Sequence, residues 1–378
     1  MPTYGGGMEI NMKLKNILTV SVFSLFILSF SVLCIVKPAS AFSESERREL
    51  ASFPEVNIQS IFDGEFMSGF ETYATERFPF RDTFRGYKAW FSTNVFRKLD
   101  NNGVFVTEGH ISKIDSDMNE EMLDYAANRF NHINNKYLKD KNIKVYFAPV
   151  PDKNFVLAPQ NGYPSLNYKT FIEKIRTKTT FMEFIDITHL LDKDDYYTTD
   201  THWRQEKITD IAEFLGDKMG VDVKTEYKEN ILSTPFKGVY TGQLAIPFKP
   251  DTIKYLTNDT LDDCIVTYYD TGKPKTGEMY NMEKAEGKDP YEMFLSGTMP
   301  LVTIENPNAQ TSKELYLFRD SFGSSIAPLM VEGYKKITVI DIRYVQSDFL
   351  GALVEFKQNS DALFLYSTTL LNNSMAMK

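Results

Sequence analysis

The spacing of apolar positions changes along this chain, and each change marks a different kind of element. From Asn16 to Val36 the sequence "NILTVSVFSLFILSFSVLCIV" carries no charge at all. A helix of about 20 such residues spans the hydrocarbon core of a bilayer. The pattern then becomes helical. Phe62, Phe66, Phe70 and Tyr73 form one stripe; Phe84, Tyr87, Trp90, Phe91 and Val95 form a second. Stripes of this kind predict two amphipathic helices whose aromatic faces are core, packed on the body of the protein. The sharper alternative is a docking surface for a membrane partner.

"NNGVFVTEGHISKI" reads as a hairpin, with turns at Gly103 and Gly109. A helical pattern over 119–140 uses Met122, Tyr125, Phe130, Ile133 and Tyr137. It leads into "IKVYFAPVP", continuously apolar, as a strand covered on both faces is. A helix over 168–178, a second strand "FMEFIDI", and a helix over 202–219 ended by Gly220 follow. Residues 221–312 lose this regularity and read as an insertion of hairpins and loops, rich in Tyr, Thr, Gly and Pro. Strand "ELYLFR", helix "SFGSSIAPLMVEGY", strand "KITVIDIRY", helix "SDFLGALVEFKQ" and strand "DALFLYS" then alternate. Such alternation predicts an α/β fold, a parallel sheet with helices on both faces. The chain therefore divides into an N-terminus (1–15), a membrane span (16–36), a tether with aromatic helices (37–100) and a main domain (101–378).

Composition narrows the partners. With 42 basic and 51 acidic residues the net charge is −9, which argues against nucleic acid. Cys34 and Cys264 are the only cysteines. Cys34 lies inside the apolar run, so neither an internal disulfide nor a cysteine zinc site is expected. Lys13 and Lys15 precede the span and favour an inside N-terminus with an exported body. "ASA" at 39–41 fits a processing site, so a cleaved signal peptide is the alternative. The apolar run exceeds the usual signal-peptide core of about 7–15 residues, which favours a retained anchor.

In open α/β sheets ligands bind beyond the carboxyl ends of the strands. The residues just after the strands are Asp152-Lys153, Asp200-Thr201-His202, Asp320-Ser321, Arg343-Tyr344 and Thr368-Thr369. A hydroxyl, an imidazole and a carboxylate thus share one rim. Ser321 stands at an abrupt strand-to-helix turn, where helix N–H groups favour a developing oxyanion. A serine hydroxyl needs a base, and His202 oriented by Asp200 can supply one. Other readings stay open at this point. Ser321 could cap its helix, or the Gly/Ser turn could hold a phosphate. Asp200 and His202 could also ligate a metal with Asp320 or His189, although the histidines lack ligand spacing.

Several segments together carry a resemblance: "ERRELASFP", "ERFPFRD", "GVFVTEGHISK", "YYTTDTHW", "YEMFLSGTMPLVTIEN", "LFRDSFGSS" and "IDIRY". The chain resembles SGNH-type esterases and acyltransferases in the order seen in the DHHW family and the exported alginate O-acetylation proteins. In those, Asp and His precede the nucleophilic Ser. The resemblance implies an SGNH-hydrolase-like fold with Ser321 as nucleophile, His202 as base, Asp200 as its orienting carboxylate, and an acetyl-enzyme. It makes Arg343 and Tyr344 candidates for the acyl or sugar pocket and Gly297 a candidate oxyanion donor. No cofactor is implied. The partners implied are a polysaccharide acceptor and a multi-pass membrane acyltransferase that delivers acetyl. The pattern departs in three places: Thr201 replaces the family's first His, Arg319 stands where Gly usually precedes Asp-Ser, and no Gly-x-Asn-Asp block is visible. The function this predicts is O-acetylation of a surface polysaccharide. A carbohydrate acetylesterase with the same triad, or a non-catalytic scaffold of a polysaccharide complex, is the alternative.

Overall fold

A computed structural model describes residues 6–36, 40–270 and 273–378. Two compact units are present, one ending at Phe96 and one comprising Arg97–Lys378.

In the first unit, helix Gly6–Val36 contains Met12–Cys34, a segment long and apolar enough to cross a membrane. The helix begins inside the stretch expected to be a separate N-terminus. It fits a signal anchor or a signal peptide. Residues 1–5, and Ala39 of the expected processing site, lie outside the described residues. Three helices follow the hairpin Phe42–Ser43/Arg48–Glu49: Ile58–Phe62, Glu65–Glu76, and Arg81–Trp90 continued by a π-turn over Phe91–Val95. The expected aromatic helices therefore form; in the first stripe Phe66 and Tyr73 are part-buried and pack with Phe53, whereas the second stripe is exposed. Phe62, Phe84, Tyr87, Trp90, Phe91 and Val95 are exposed. Helical periodicity reports that a face is apolar, not what covers it.

The second unit is organised by one mixed eight-stranded sheet. In chain order its strands are β1 (Lys144–Val150), β2 (Glu183–Phe184), β3 (Ile265–Tyr268), β4 (Lys275–Gly277), β5 (Leu301–Glu305), β6 (Glu314–Arg319), β7 (Lys336–Ile340) and β8 (Asp361–Ser367). Across the sheet they run β4-β3-β5-β7-β6-β8-β1-β2. Strands β7, β6, β8, β1 and β2 are mutually parallel, and β5, β3 and β4 extend the sheet antiparallel from β7. Side chains alternate between two cores, as the pleat requires. Tyr146, Ala148, Leu315, Leu317, Leu363 and Leu365 enter one. Phe147, Tyr316, Phe318, Phe364 and Tyr366 enter the other. Helix Thr209–Met219 packs on the first face, and helices Glu120–Ile133 and Tyr168–Lys178 on the second. Covering both faces explains why the central strands read as unbroken apolar runs.

Several elements differ from expectation. Residues 221–312, expected to be an insertion of hairpins and loops, do contain the antiparallel pair β3/β4, but β3, β4 and β5 also join the main sheet. Only the hairpin Lys228–Phe236/Asp251–Thr257 pairs separately, and a short helix, Val239–Leu244, lies between its strands. "FMEFIDI" contributes a two-residue edge strand. Ser321 is followed by five α-helical residues, Phe322–Ile326, and then by 3₁₀ turns over Ala327–Gly333. Pro328 stands at that change, where it removes an N–H that an α-helix would use. The helix expected from residue 202 starts only at Thr209, after a 3₁₀ turn, Gln205–Lys207. Its first residues instead close a loop: Tyr196 bridges to Trp203, and the Tyr197 N–H donates to the His202 carbonyl at 3.0 Å.

Candidate active site

The loop over Tyr196–Trp203 and the end of β6 meet at the carboxyl rim of the sheet. At the end of β6, the buried Asp320 carboxylate accepts the N–H of Phe322 at 3.0 Å and that of Ser367 at 2.8 Å. One side chain thus ties the end of β6 to the end of β8 and starts the helix behind Ser321. Gly323 lets that helix turn back sharply, since a Cβ there would lie 2.4 Å from Arg319 Cβ. Ser321 occupies the N-cap position but makes no side-chain capping bond. Its hydroxyl is free for another partner.

That partner is His202. Its Nε2 lies 2.7 Å from Ser321 Oγ, and its Nδ1 lies 2.7 Å from Asp200 Oδ1. The carboxylate accepts only, so it holds the Nδ1–H tautomer and turns the Nε2 lone pair toward the hydroxyl. Asp200 is buried, while His202 and Ser321 are part-exposed. The second carboxylate oxygen accepts the Val239 N–H at 2.9 Å. A hydroxyl in this relay can be deprotonated as it attacks an electrophilic carbonyl.

The Asp-x-His loop is held from three directions. Asp251 accepts the N–H groups of Thr198 at 2.8 Å and Thr199 at 2.7 Å, together with the Thr199 hydroxyl at 2.5 Å. Thr199 Oγ1 accepts in turn from the Gly238 N–H at 2.8 Å. Beneath the loop, the wholly buried Lys153 donates to the carbonyls of Tyr197, Asp200 and Thr198 at 2.7, 2.8 and 3.1 Å. Burial pulls its pKa down to about 7, and Asp200, Asp251 and Asp152 pull the other way.

Aromatic side chains set the imidazole plane. The buried Tyr291 ring stacks on His202 with centroids 3.9 Å apart and planes 11° from parallel. Burial raises the Tyr291 pKa, so its hydroxyl remains a neutral phenol, paired with Ser325 Oγ at 2.9 Å. Trp203 donates its indole N–H to the same Ser325 Oγ at 2.8 Å. Tyr291 opens one of the motifs that carry the resemblance, but neither its stacking role nor the packing role of Gly238 could be read from the sequence, because both exist only through contacts remote along the chain. Lys153 did carry a sequence signal, its place just after β1.

The other predicted residues lie elsewhere in the network. Arg343 makes a bidentate pair with buried Asp341, Nε to Oδ1 at 2.9 Å and Nη2 to Oδ2 at 2.6 Å. Tyr344 is exposed, with the Arg343 guanidinium over its ring. Gly297 does not offer the N–H expected of an oxyanion donor. That N–H donates to Phe294 at 3.1 Å, and its carbonyl accepts from buried Arg319 at 3.1 Å. The left-handed φ of 71° and a Cβ position only 2.7 Å from Glu292 explain the glycine. Thr201, between Asp200 and His202, is part-exposed. Thr368 pairs with Asp152, and Asn372 with Asn119 and Asp117. His132 lies 3.0 Å from Asp348, and His189 packs edge-on against Phe214.

Comparison with known proteins agrees with this architecture. A family profile described as "DHHW protein" matches residues 46–161, a stretch that ends before Asp200. No curated protein matches the chain. A solved DHHW family protein from Eubacterium siraeum superposes with a TM-score of 0.60 at 22% identity, over 73% of this chain and 95% of its own. Bacillus cereus PatB1, in a structure with a sulfonyl adduct, gives a TM-score of 0.56 at 19% identity, over 71% of this chain and 95% of its own. The O-acetyltransferase domain of Pseudomonas putida AlgJ is more remote, with a TM-score of 0.42 at 12% identity over 71% and 92% of the two chains. The first two likenesses establish the fold, a mixed α/β domain with a large, parallel-rich sheet.

Proposed function

We propose that the protein is an exported, membrane-anchored O-acyltransferase that carries an acetyl group on Ser321 and passes it to a hydroxyl of a surface polysaccharide. The observation that carries this reading is the unbroken relay from Asp200 through His202 to Ser321, both links 2.7 Å long. In the first half-reaction Ser321 Oγ attacks the acetyl carbonyl while His202 Nε2 takes its proton. The tetrahedral intermediate collapses to acetyl-Ser321, and His202 returns the proton to the leaving group. In the second half a sugar hydroxyl gives its proton to His202 and attacks the acetyl-enzyme, which restores the serine. Asp200 stays ionised throughout and stabilises the imidazolium. The choice of acetyl and polysaccharide comes from the resemblance of the motifs, and the choice of an exported site from the apolar N-terminal helix.

PatB1 is seen with a sulfonyl adduct, and that class of reagent gives a direct test. A sulfonyl fluoride is attacked by an activated hydroxyl and leaves a stable sulfonate ester. The full chain should acquire one such mass, on the peptide containing Ser321, and lose turnover of an acetyl ester. S321A and H202A should acquire none. Label on another residue, or unchanged ester turnover in S321A, refutes the nucleophile. With an acceptor glycan present, acetylated sugar supports transfer, whereas acetate alone means that water is the acceptor and the enzyme an esterase.

A further inference from the structure

Outside the site, the most unusual feature of the described residues is the apolar surface that follows the span. Phe84, Tyr87, Phe91 and Val95 share one face of the Arg81–Val95 helix, and each is about half exposed. Trp90, 51% exposed, flanks that face and meets Phe91 edge-on at 5.1 Å. Arg81, Arg85 and Lys88 recur at helical spacing on a separate stripe about a quarter-turn away. Exposed apolar faces of this size on a soluble surface mark an interaction site.

The span itself indicates what covers the face. Phe30, near the end of the Met12–Cys34 segment, stacks on Phe78 at 5.3 Å with planes 7° apart, and meets Phe84 at 5.9 Å. Phe30 lies four residues before Cys34, about 6 Å along a helix axis. The rings that touch it therefore sit at the depth where interfacial helices bury their apolar faces, about 5–10 Å into the headgroup boundary. The adjoining charges are paired within the unit: Arg81 and Arg85 with Glu46 at 2.7 and 3.1 Å, and Arg48 with Glu76 at 2.7 Å. Attachment to such a surface needs no anionic lipid.

We propose that Arg81–Val95 lies in the membrane–water interface beside the exported end of the span, with its aromatic face in the lipid. The partner is the bilayer surface itself. Aromatic residues favour this zone because an apolar ring with a polar edge suits it. The inference rests on the reading of Met12–Cys34 as a retained anchor, and it is independent of the chemistry at Ser321.

The chain has two tryptophans, Trp90 and the fully buried Trp203, which makes the test clean. The full chain is reconstituted in vesicles of phosphatidylcholine brominated on its acyl chains, and its emission is compared with that in unbrominated vesicles. Bromine should quench part of the tryptophan emission, and the conservative W90F variant should lose that quenched component. Co-flotation of the protein with the vesicles is measured in the same samples. Protein that floats but shows no Trp90 quenching overturns the interfacial placement while leaving the anchor intact, and would favour a protein partner on that face. Protein that does not float overturns the anchor and the placement together. Quenching that persists in W90F also overturns the proposal.

Discussion

A single buried amine shows how much one residue carries here. Lys153 Nζ faces three carbonyls of the loop that presents Asp200 and His202. Such hydrogen bonds contribute about 0.5–1.5 kcal/mol each net, and a carbonyl left buried without a donor is costly. K153M should therefore lower stability by roughly 2–4 kcal/mol and reduce turnover, because the loop then holds Asp200 loosely. A pH readout separates the amine from general packing. Burial lowers the Lys153 pKa from 10.5 to about 7, so between those values the unfolded chain binds a proton at this site that the folded chain does not. Stability from this group then rises with pH across that window, and below about pH 7 the cost of the buried charge is fully present. Urea midpoints at pH 7 and pH 9.5 should show this rise in the natural protein and its loss in K153M; equal slopes would refute it. Lys153 and Ser321 were legible in the sequence because strand ends can be found from apolar runs, whereas Asp200 and His202 lie on a loop well past the end of β2 and were marked by their own spacing. What each would touch was not legible. The pairing of Arg343 with Asp341 and the occupied N–H of Gly297 are contacts that the sequence does not display.

At the scale of elements, the site depends on the approach of two loops that are distant in sequence. Gly238 has an ordinary φ of −64°, so backbone freedom does not explain it. Space does: a Cβ there would lie 2.2 Å from the Thr199 carbonyl oxygen and 2.5 Å from Asp200 Cβ. G238A must push the Val239–Leu244 helix away from the Asp-x-His loop and weaken the Val239 N–H bond to Asp200. Overpacking of this kind costs about 1–3 kcal/mol. The expected result is a lower Tm, with kcat reduced about 10-fold or more and KM little changed, measured on an acetyl ester. Unchanged kcat would mean that the loop does not depend on this approach. The central strands were readable because covering both faces writes itself as unbroken apolar runs. In 221–312 the strand-like piece around β3 and the presence of hairpins were readable, but that β3, β4 and β5 join the main sheet was not, since short antiparallel strands at a sheet margin owe their state to the neighbour they pair with. The same limit applies to the helices on the first face, where Pro328 and the bridge between Tyr196 and Trp203 override an apparent helical period.

At the scale of the whole chain, the proposed triad and the apolar N-terminal helix lie in different units and make separate predictions. The relay, the Tyr291 stack and the Lys153 clamp all lie within Arg97–Lys378, so attack on a soluble acetyl ester should not need the span. Under the proposed function, acetylation of a surface polymer would differ, because donor, enzyme and acceptor would have to meet at the same membrane. Tethering would confine the enzyme there and raise its effective concentration by orders of magnitude. Replacing residues 1–36 with a cleavable signal peptide should therefore leave ester turnover by the exported protein within about twofold of the anchored form. Surface acetylation in cells expressing it at equal level should fall by roughly tenfold or more. Released protein that acetylates the surface normally would show that membrane attachment is dispensable, and would favour a diffusible enzyme. A matching loss of ester turnover would instead mean that the site depends on residues 1–36.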